Sequence, residues 1–173
     1  MVIVLLIGVM SDTHDCLDCI RRASKIFSEV NVSAVLHLGD IIAPFTLKLL
    51  IESVRVRLEA IFGNNDGEKL GLLRIAQVYG VGLGDQPRVV SFNGRRLLLV
   101  HGFGDPATTY DVVRALGESR RWDAVLYGHT HEAIIDYVKG VLVLNPGDCS
   151  GYLNKPTVAL LDLRTMKARL VEL

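Results

Sequence analysis

Five short polar clusters stand along this chain, and each follows an apolar run: Asp12-Thr13-His14, Gly39-Asp40, Gly63-Asn64-Asn65-Asp66, His101-Gly102 and Gly128-His129-Thr130-His131. This rhythm constrains the fold more than any other feature. A short apolar run closed by polar groups is the pattern of a buried strand that ends at a surface. In α/β sheets the carboxyl ends of strands are where ligands bind, because the loops there meet along one edge of a rigid frame.

The remaining elements fill in around that rhythm. Residues 2–10 read as a strand buried on both faces. Asp15 is placed to cap a helix that starts near Cys16 and presents Leu17, Ile20, Ala23, Ser24 and Phe27 on one face. Residues 34–38 read as a short strand and 44–53 as a helix. Residues 55–62 alternate Arg55, Arg57 and Glu59 with Val56, Leu58 and Ala60, which predicts a half-exposed strand. A weak helix over 67–76 follows. The character then changes. Asn93-Gly94 suits a tight turn between strands over 89–92 and 95–100. Residues 109–116 read as a helix, and 124–127, 133–138, 141–144, 157–163 and 167–172 as strands. The expectation is one α/β domain over residues 1–173, with two packed sheets and helices outside.

Bulk properties narrow the function. Half of the 173 residues are hydrophobic and the formal net charge is zero. A protein held to polymeric nucleic acid by phosphate contacts is expected to be basic, so such a partner is not expected. The apolar start lacks a basic leader region and is too short to span a bilayer. A cytoplasmic protein with no membrane partner is expected. Three cysteines, an odd count, fit a reducing compartment. Cys16-Leu17-Asp18-Cys19 lacks a second pair and reads as two small side chains in a helical turn. His37 reads as structural. Glycine-rich residues 80–84 lack a P-loop lysine. The apolar stretch 78–83 fits either a self-contact in a homo-oligomer or a buried loop.

Every polar cluster supplies carboxylate, amide or imidazole groups, the donors a divalent metal takes. Taken singly, Asp12 and Asp40 read as caps or turn residues, and His101 as a core histidine. Gly-His-Thr-His is stronger, since alternating histidines in an extended segment grip neighbouring ions. Four of the five histidines fall in the clusters. Seven candidate ligands, Asp12, His14, Asp40, Asn64, His101, His129 and His131, are spread over five loops and suggest two ions, a device for cleaving phosphate esters. The mixed oxygen and imidazole set suits manganese, nickel, iron, cobalt or zinc, and manganese is the leading expectation.

The series SDTH, GD, GNND, HG and GHTH resembles the calcineurin-like metallophosphoesterases, in particular their small single-domain archaeal and bacterial phosphodiesterases. The resemblance runs over nearly the whole chain and includes the late NPGDCSGYL stretch. It implies a sandwich of two mixed sheets flanked by helices, and a metal-dependent phosphodiesterase. It implies that Asp12, His14 and His131 hold one ion, that Asn64, His101 and His129 hold the other, and that Asp40 bridges both. Asp40, Asn64 and His101 then surround a bridging water that attacks phosphorus, while Asp66 and Asn145 orient the ligands from behind. Many members carry a histidine after the ligand asparagine, on the leaving-group side. This chain has Asn65 there, and an amide has no acidic proton to give. The change favours a small phosphodiester with a good leaving group, a cyclic nucleotide among the candidates. The rival reading is a non-catalytic protein-binding scaffold of the same fold, such as a retromer subunit with altered metal positions. All seven positions kept here speak against it.

Overall fold

The structure is a computed structural model that describes residues 6–173. The chain order is β1 (Leu6–Met10), α1 (Leu17–Glu29), β2 (Ala34–His37), α2 (Pro44–Val54), β3 (Arg57–Ile61), α3 (Lys69–Tyr79), β4 (Gly82–Gly84), β5 (Arg88–Phe92), β6 (Arg95–Leu99), α4 (Pro106–Glu118), β7 (Ala124–Leu126), β8 (Ala133–Val138), β9 (Val141–Pro146), β10 (Thr157–Asp162) and β11 (Lys167–Glu172). One sheet has the order β11-β10-β1-β2-β3-β4 and the other β5-β6-β7-β9-β8. Strands β1 to β4 run parallel, as do β6, β7 and β9, while β5, β8, β10 and β11 pair antiparallel. Both sheets are therefore mixed, as the resemblance implied.

The core has three layers. Ile7, Val9, Leu36, Leu38 and Ile61 of the first sheet meet Leu97, Leu99, Leu126, Leu142 and Leu144 of the second. Ile20 and Phe27 of α1, Leu47 and Leu50 of α2 and Leu72 of α3 cover the outer face of the first sheet. Val113 of α4 packs with Val125, Tyr127 and Val143 on the outer face of the second. Strands covered on both sides are predominantly apolar, which is why β1 and β7 read as unbroken apolar runs and β2 departs from one only at His37.

Several expectations need correction. The alternation over 55–62 does not mark a half-exposed strand: β3 lies between β2 and β4, and Leu58 to Ile61 are buried. Glu59 is buried with its charge paired, to Arg57 at 2.6 Å and to Arg88 at 2.6 Å. Of the alternating charges only Glu59 is buried, while Arg57 keeps its side chain half exposed. Strand β4 escaped the sequence reading because its residues are Gly-Leu-Gly. A side chain at Gly82 would overlap the Glu59 carboxylate. Within the stretch 78–83, Val81 and Leu83 pack on the core while Val78 and Tyr79 are exposed.

Asp15 does not cap α1. The Cys16 sulfur accepts the Cys19 N–H there, while Asp15 Oδ1 accepts the Ala43 N–H at 3.1 Å and the Thr46 hydroxyl at the start of α2. Cys16 and Cys19 are joined by a disulfide across 5.3 Å between their Cα atoms, not held as separate thiols, because a three-residue step in a first helical turn brings them together. Cys149 is free and buried. The first residues of the predicted strand over 2–10 lie outside the described residues. No described helix is long and apolar enough to cross a membrane.

Candidate metal centre

The five polar clusters follow β1, β2, β3, β6 and β7 and converge. Five of the seven candidate ligands have a left-handed backbone: φ is 54° at Asp12, 41° at His14, 59° at Asp40, 68° at His129 and 58° at His131. Such angles are uncommon away from glycine and tend to cluster where a site dictates geometry. Space is tight as well. Gly39 has φ +105°, and a Cβ there would lie 2.6 Å from His101 Nδ1 and 2.7 Å from the Gly63 nitrogen. Any side chain would push one loop off another.

Consider first Asn64, His101 and His129. His101 Nδ1 lies 2.7 Å from the Leu38 carbonyl, and His129 Nε2 lies 2.6 Å from the Gly104 carbonyl. A carbonyl only accepts, so these two nitrogens carry the ring protons, and the tautomers follow from that inference. The other nitrogens, His101 Nε2 and His129 Nδ1, then present lone pairs. Each is 2.9 Å from Asn64 Oδ1. His101 Nε2 is also 3.4 Å from Asp40 Oδ2. Acceptors facing acceptors at these distances repel unless a cation or an extra proton sits among them. Burial opposes charge on His101, but Asp40 and Asp12 more than offset it and raise its pKa above the usual imidazole value.

The second group is Asp12, His14 and His131. His131 Nε2 lies 3.5 Å from Asp12 Oδ1, and His14 Nε2 lies 3.9 Å from the same oxygen and 3.5 Å from Asp40 Oδ2. The two rings stack with centroids 5.3 Å apart. Asp12 Oδ1 and His14 Nε2 are buried yet have no hydrogen-bond partner among the described residues. Burial raises the Asp12 pKa, partly opposed by His101 and Ser11. Orphaned buried donors and acceptors aimed at one point are costly unless something fills it. The donors of Asp12, His14 and His131, and those of Asp12, Asp40 and His101, form two groups that share Asp12, and within each the ligand atoms lie within 4.8 Å of one another. The residues present therefore fit a divalent metal.

Asp40 lies between the groups. Burial works against its charge, but His101 and both N–H groups of Asn65 hold its carboxyl far below the usual range. The Asn65 backbone N–H donates to Asp40 Oδ1 at 2.8 Å and its side-chain amide to Oδ2 at 2.7 Å. Asn65 thus touches Asp40 as well as the open side of the site.

Asp66 and Asn145 bond the loops that carry candidate ligands. Asp66 accepts the backbone N–H groups of Asp40 (2.9 Å), Ile41 (2.8 Å), Ile42 (2.7 Å) and Gly63 (2.7 Å). It ties the loop after β2 to the loop after β3. Asn145 donates to the Gly128 carbonyl and the Thr130 hydroxyl and accepts from the Gly147 N–H, holding the Gly-His-Thr-His loop. His37 is structural: it contacts the Thr13 hydroxyl and accepts the Gly39 N–H.

Sequence reasoning missed other supports. Buried Asp148 places Oδ2 3.0 Å from His131 Nδ1, off the line of a hydrogen bond, which leaves Nε2 of that ring facing Asp12. Asp148 raises the His131 pKa against burial, and His131, Ser150 and the Leu153 N–H hold Asp148 far below its usual range although burial opposes them. Gln86 accepts the His101 N–H at 2.6 Å and donates to the Gly102 carbonyl. Asp148 had a signal, its place in the NPGD run. The carbonyls of Leu38 and Gly104 had none, because every residue carries one.

Residues 5–166 match the profile of the calcineurin-like phosphoesterase superfamily domain. A phosphodiesterase of Methanocaldococcus jannaschii is 37% identical over 165 residues, spanning 94% of this chain and 96% of its own length. A solved structure described as a novel archaeal phosphodiesterase has a TM-score of 0.87 at 36% identity, covering 98% of this chain and 100% of that one. Vps29 of Chaetomium thermophilum shares the fold with a TM-score of 0.70 at 20% identity, covering 98% and 97%. A motif series, a sheet arrangement and a profile spanning nearly all of the described residues agree: the chain belongs to the calcineurin-like phosphoesterase superfamily.

Proposed function

We propose that this protein is a phosphodiesterase that hydrolyses small phosphodiesters with two divalent metal ions. Asp12, His14 and His131 would hold one ion and Asn64, His101 and His129 the other, with Asp40 shared. The observation that carries this reading is the convergence of imidazole, amide and carboxylate atoms on two points, where buried Asp12 Oδ1 and His14 Nε2 have no hydrogen-bond partner among the described residues. When bound, the ions would supply a deprotonated water at neutral pH and neutralise charge on the phosphoryl oxygens. Manganese is favoured, and nickel, iron, cobalt and zinc also suit these donors.

The chain's own residues do the rest. Leu38, Gly104 and Asp148 set ring orientation so that imidazole lone pairs face inward. Asp66 and Asn145 hold the loops that bear Asp40 and His129. Asn65 offers an amide N–H to the open side but no acidic proton, so the leaving group has to depart as a stable anion. That favours diesters of acidic alcohols, with cyclic nucleotides a candidate, over monoesters. Membership of the family and the likeness to an archaeal phosphodiesterase support the assignment. The likeness to Vps29 is one of fold, and no observation favours a scaffold.

The test begins with chelator-stripped protein, reloaded with each metal and assayed on bis(4-nitrophenyl) phosphate and 4-nitrophenyl phosphate. Elemental analysis is expected to find two ions per chain, and the diester is expected to be the better substrate. Asp40→Asn should lower the rate by about a hundredfold or more, since a neutral amide bridges two cations poorly. A folded protein that binds no metal under any loading, or a clear monoester preference, would sink the reading.

A further inference from the structure

A cavity of about 350 Å³ opens beside the metal centre, lined by His14, Asn65, His131, Tyr152 and Leu153. Two of its walls are proposed ligands, and one is the amide on Asp40. The remaining wall is apolar. Tyr152 is 81% exposed and Leu153 64% exposed. An isolated exposed apolar side chain needs no explanation, but adjacent large ones on a rigid loop facing a catalytic centre do.

The loop is rigid because one buried carboxylate gathers it. Asp148 Oδ1 accepts the Ser150 hydroxyl at 2.6 Å and the Gly151 N–H at 3.1 Å, and Oδ2 accepts the N–H groups of Leu153 at 2.8 Å and Asn154 at 3.4 Å. The same loop is bound to the centre at three further points. The Ser150 N–H donates to the Asp12 carbonyl at 3.1 Å, and the Asn154 amide donates to the His131 carbonyl at 3.0 Å. Asp148 Oδ2 meets the His131 ring. Tyr152 and Leu153 therefore stand at a set distance from the ligands they face, and do not swing freely on a loose strap.

We infer that Tyr152 and Leu153 form a recognition wall for a planar aromatic substituent, an aryl or nucleobase group, on the phosphodiester. This rests on the phosphodiesterase reading and adds the substrate class. An aromatic ring beside an isobutyl group packs a flat apolar face, and stacking on a tyrosine tolerates any base. Among the described residues no lysine or arginine lines the cavity, so these walls offer no cationic partner to a second phosphate or a carboxylate on the substituent. Lys155 lines a separate neighbouring cavity. A neutral aromatic group is the occupant that fits these walls.

The experiment uses metal-loaded protein and two slowly hydrolysed monoanions, diphenyl phosphate and dimethyl phosphate, with dissociation constants measured by calorimetry. The wild-type protein should bind the diphenyl ester the more tightly. Tyr152→Ala with Leu153→Ala should cut that preference by about tenfold while leaving the dimethyl ester unchanged. Tyr152→Phe should keep it, because the face and not the hydroxyl is used. Both positions are exposed, so the fold should hold, and circular dichroism checks it. An unchanged preference in the double variant overturns the inference, as does a change of oligomeric state with no change of preference. If the wild-type protein hydrolyses no diester with any metal, the phosphodiesterase reading itself has failed; if it does and the preference is indifferent to the wall, only this inference has.

Discussion

Asn65 shows how much one side chain decides. Its amide donates to Asp40 Oδ2 and also lines the cavity where a substituent would depart. If the lack of an acidic proton limits the reaction, Asn65→His should accelerate esters of weakly acidic alcohols most, since general acid catalysis contributes roughly a hundredfold or more. Aryl esters, which need little protonation, should change far less. A plot of rate against leaving-group pKa should become shallower. Equal losses across the series would instead mean that position 65 acts by steadying Asp40. The seven candidate ligands were legible as residue types in motif order. The tautomers that aim them were not, since those depend on carbonyls of Leu38 and Gly104 that are remote in sequence.

At the scale of elements, the loops after β2 and β3 behave as one unit because Asp66 takes four backbone N–H groups. Asp66→Ala would leave those groups without acceptors, at about 1–3 kcal/mol for each that stays dry. A loss of at least about 3 kcal/mol in urea unfolding is expected, together with weaker metal uptake. Asp66→Asn should fall between, because one carbonyl oxygen replaces two carboxylate oxygens. A fully stable alanine variant would show that solvent reaches these groups. Element types were mostly readable, since β1 and β7 are apolar throughout and α1 has a clear buried face. Strand β3 was misread as half-exposed because Arg88, which completes the pairing of buried Glu59, arrives from the distant strand β5.

At the scale of the molecule, buried His37 couples stability to pH. Burial holds its pKa down to about 4, against the pull of Asp66 and Asp40. In the unfolded chain it titrates near ~6.5. Between these values the unfolded chain takes up a proton that the folded chain does not. Stability is therefore full above about pH 6.5, falls as the pH drops toward about 4, and levels off below. By pH 5 this one group should remove about 2 kcal/mol. Urea unfolding at pH 7.5 and 5 should show His37→Gln losing less than the wild-type protein over that interval. Identical losses would place the acid sensitivity elsewhere.

The sequence by itself determined the class of fold and the candidate donors. Apolar periodicity reports which faces are buried, and the ends of buried strands report where polar loops gather. Both are local properties, readable from neighbours in the chain. The tertiary structure alone decided what those loops do to one another. It moved Asp15 from the helix it precedes to the start of α2. It joined Cys16 to Cys19, buried Glu59, and set Asp148 against His131. It also placed Tyr152 and Leu153 beside His14 and Asn65, more than eighty residues away. Such pairings depend on distances across two packed sheets, and no spacing along the chain encodes a distance between residues that meet only when the sheets close.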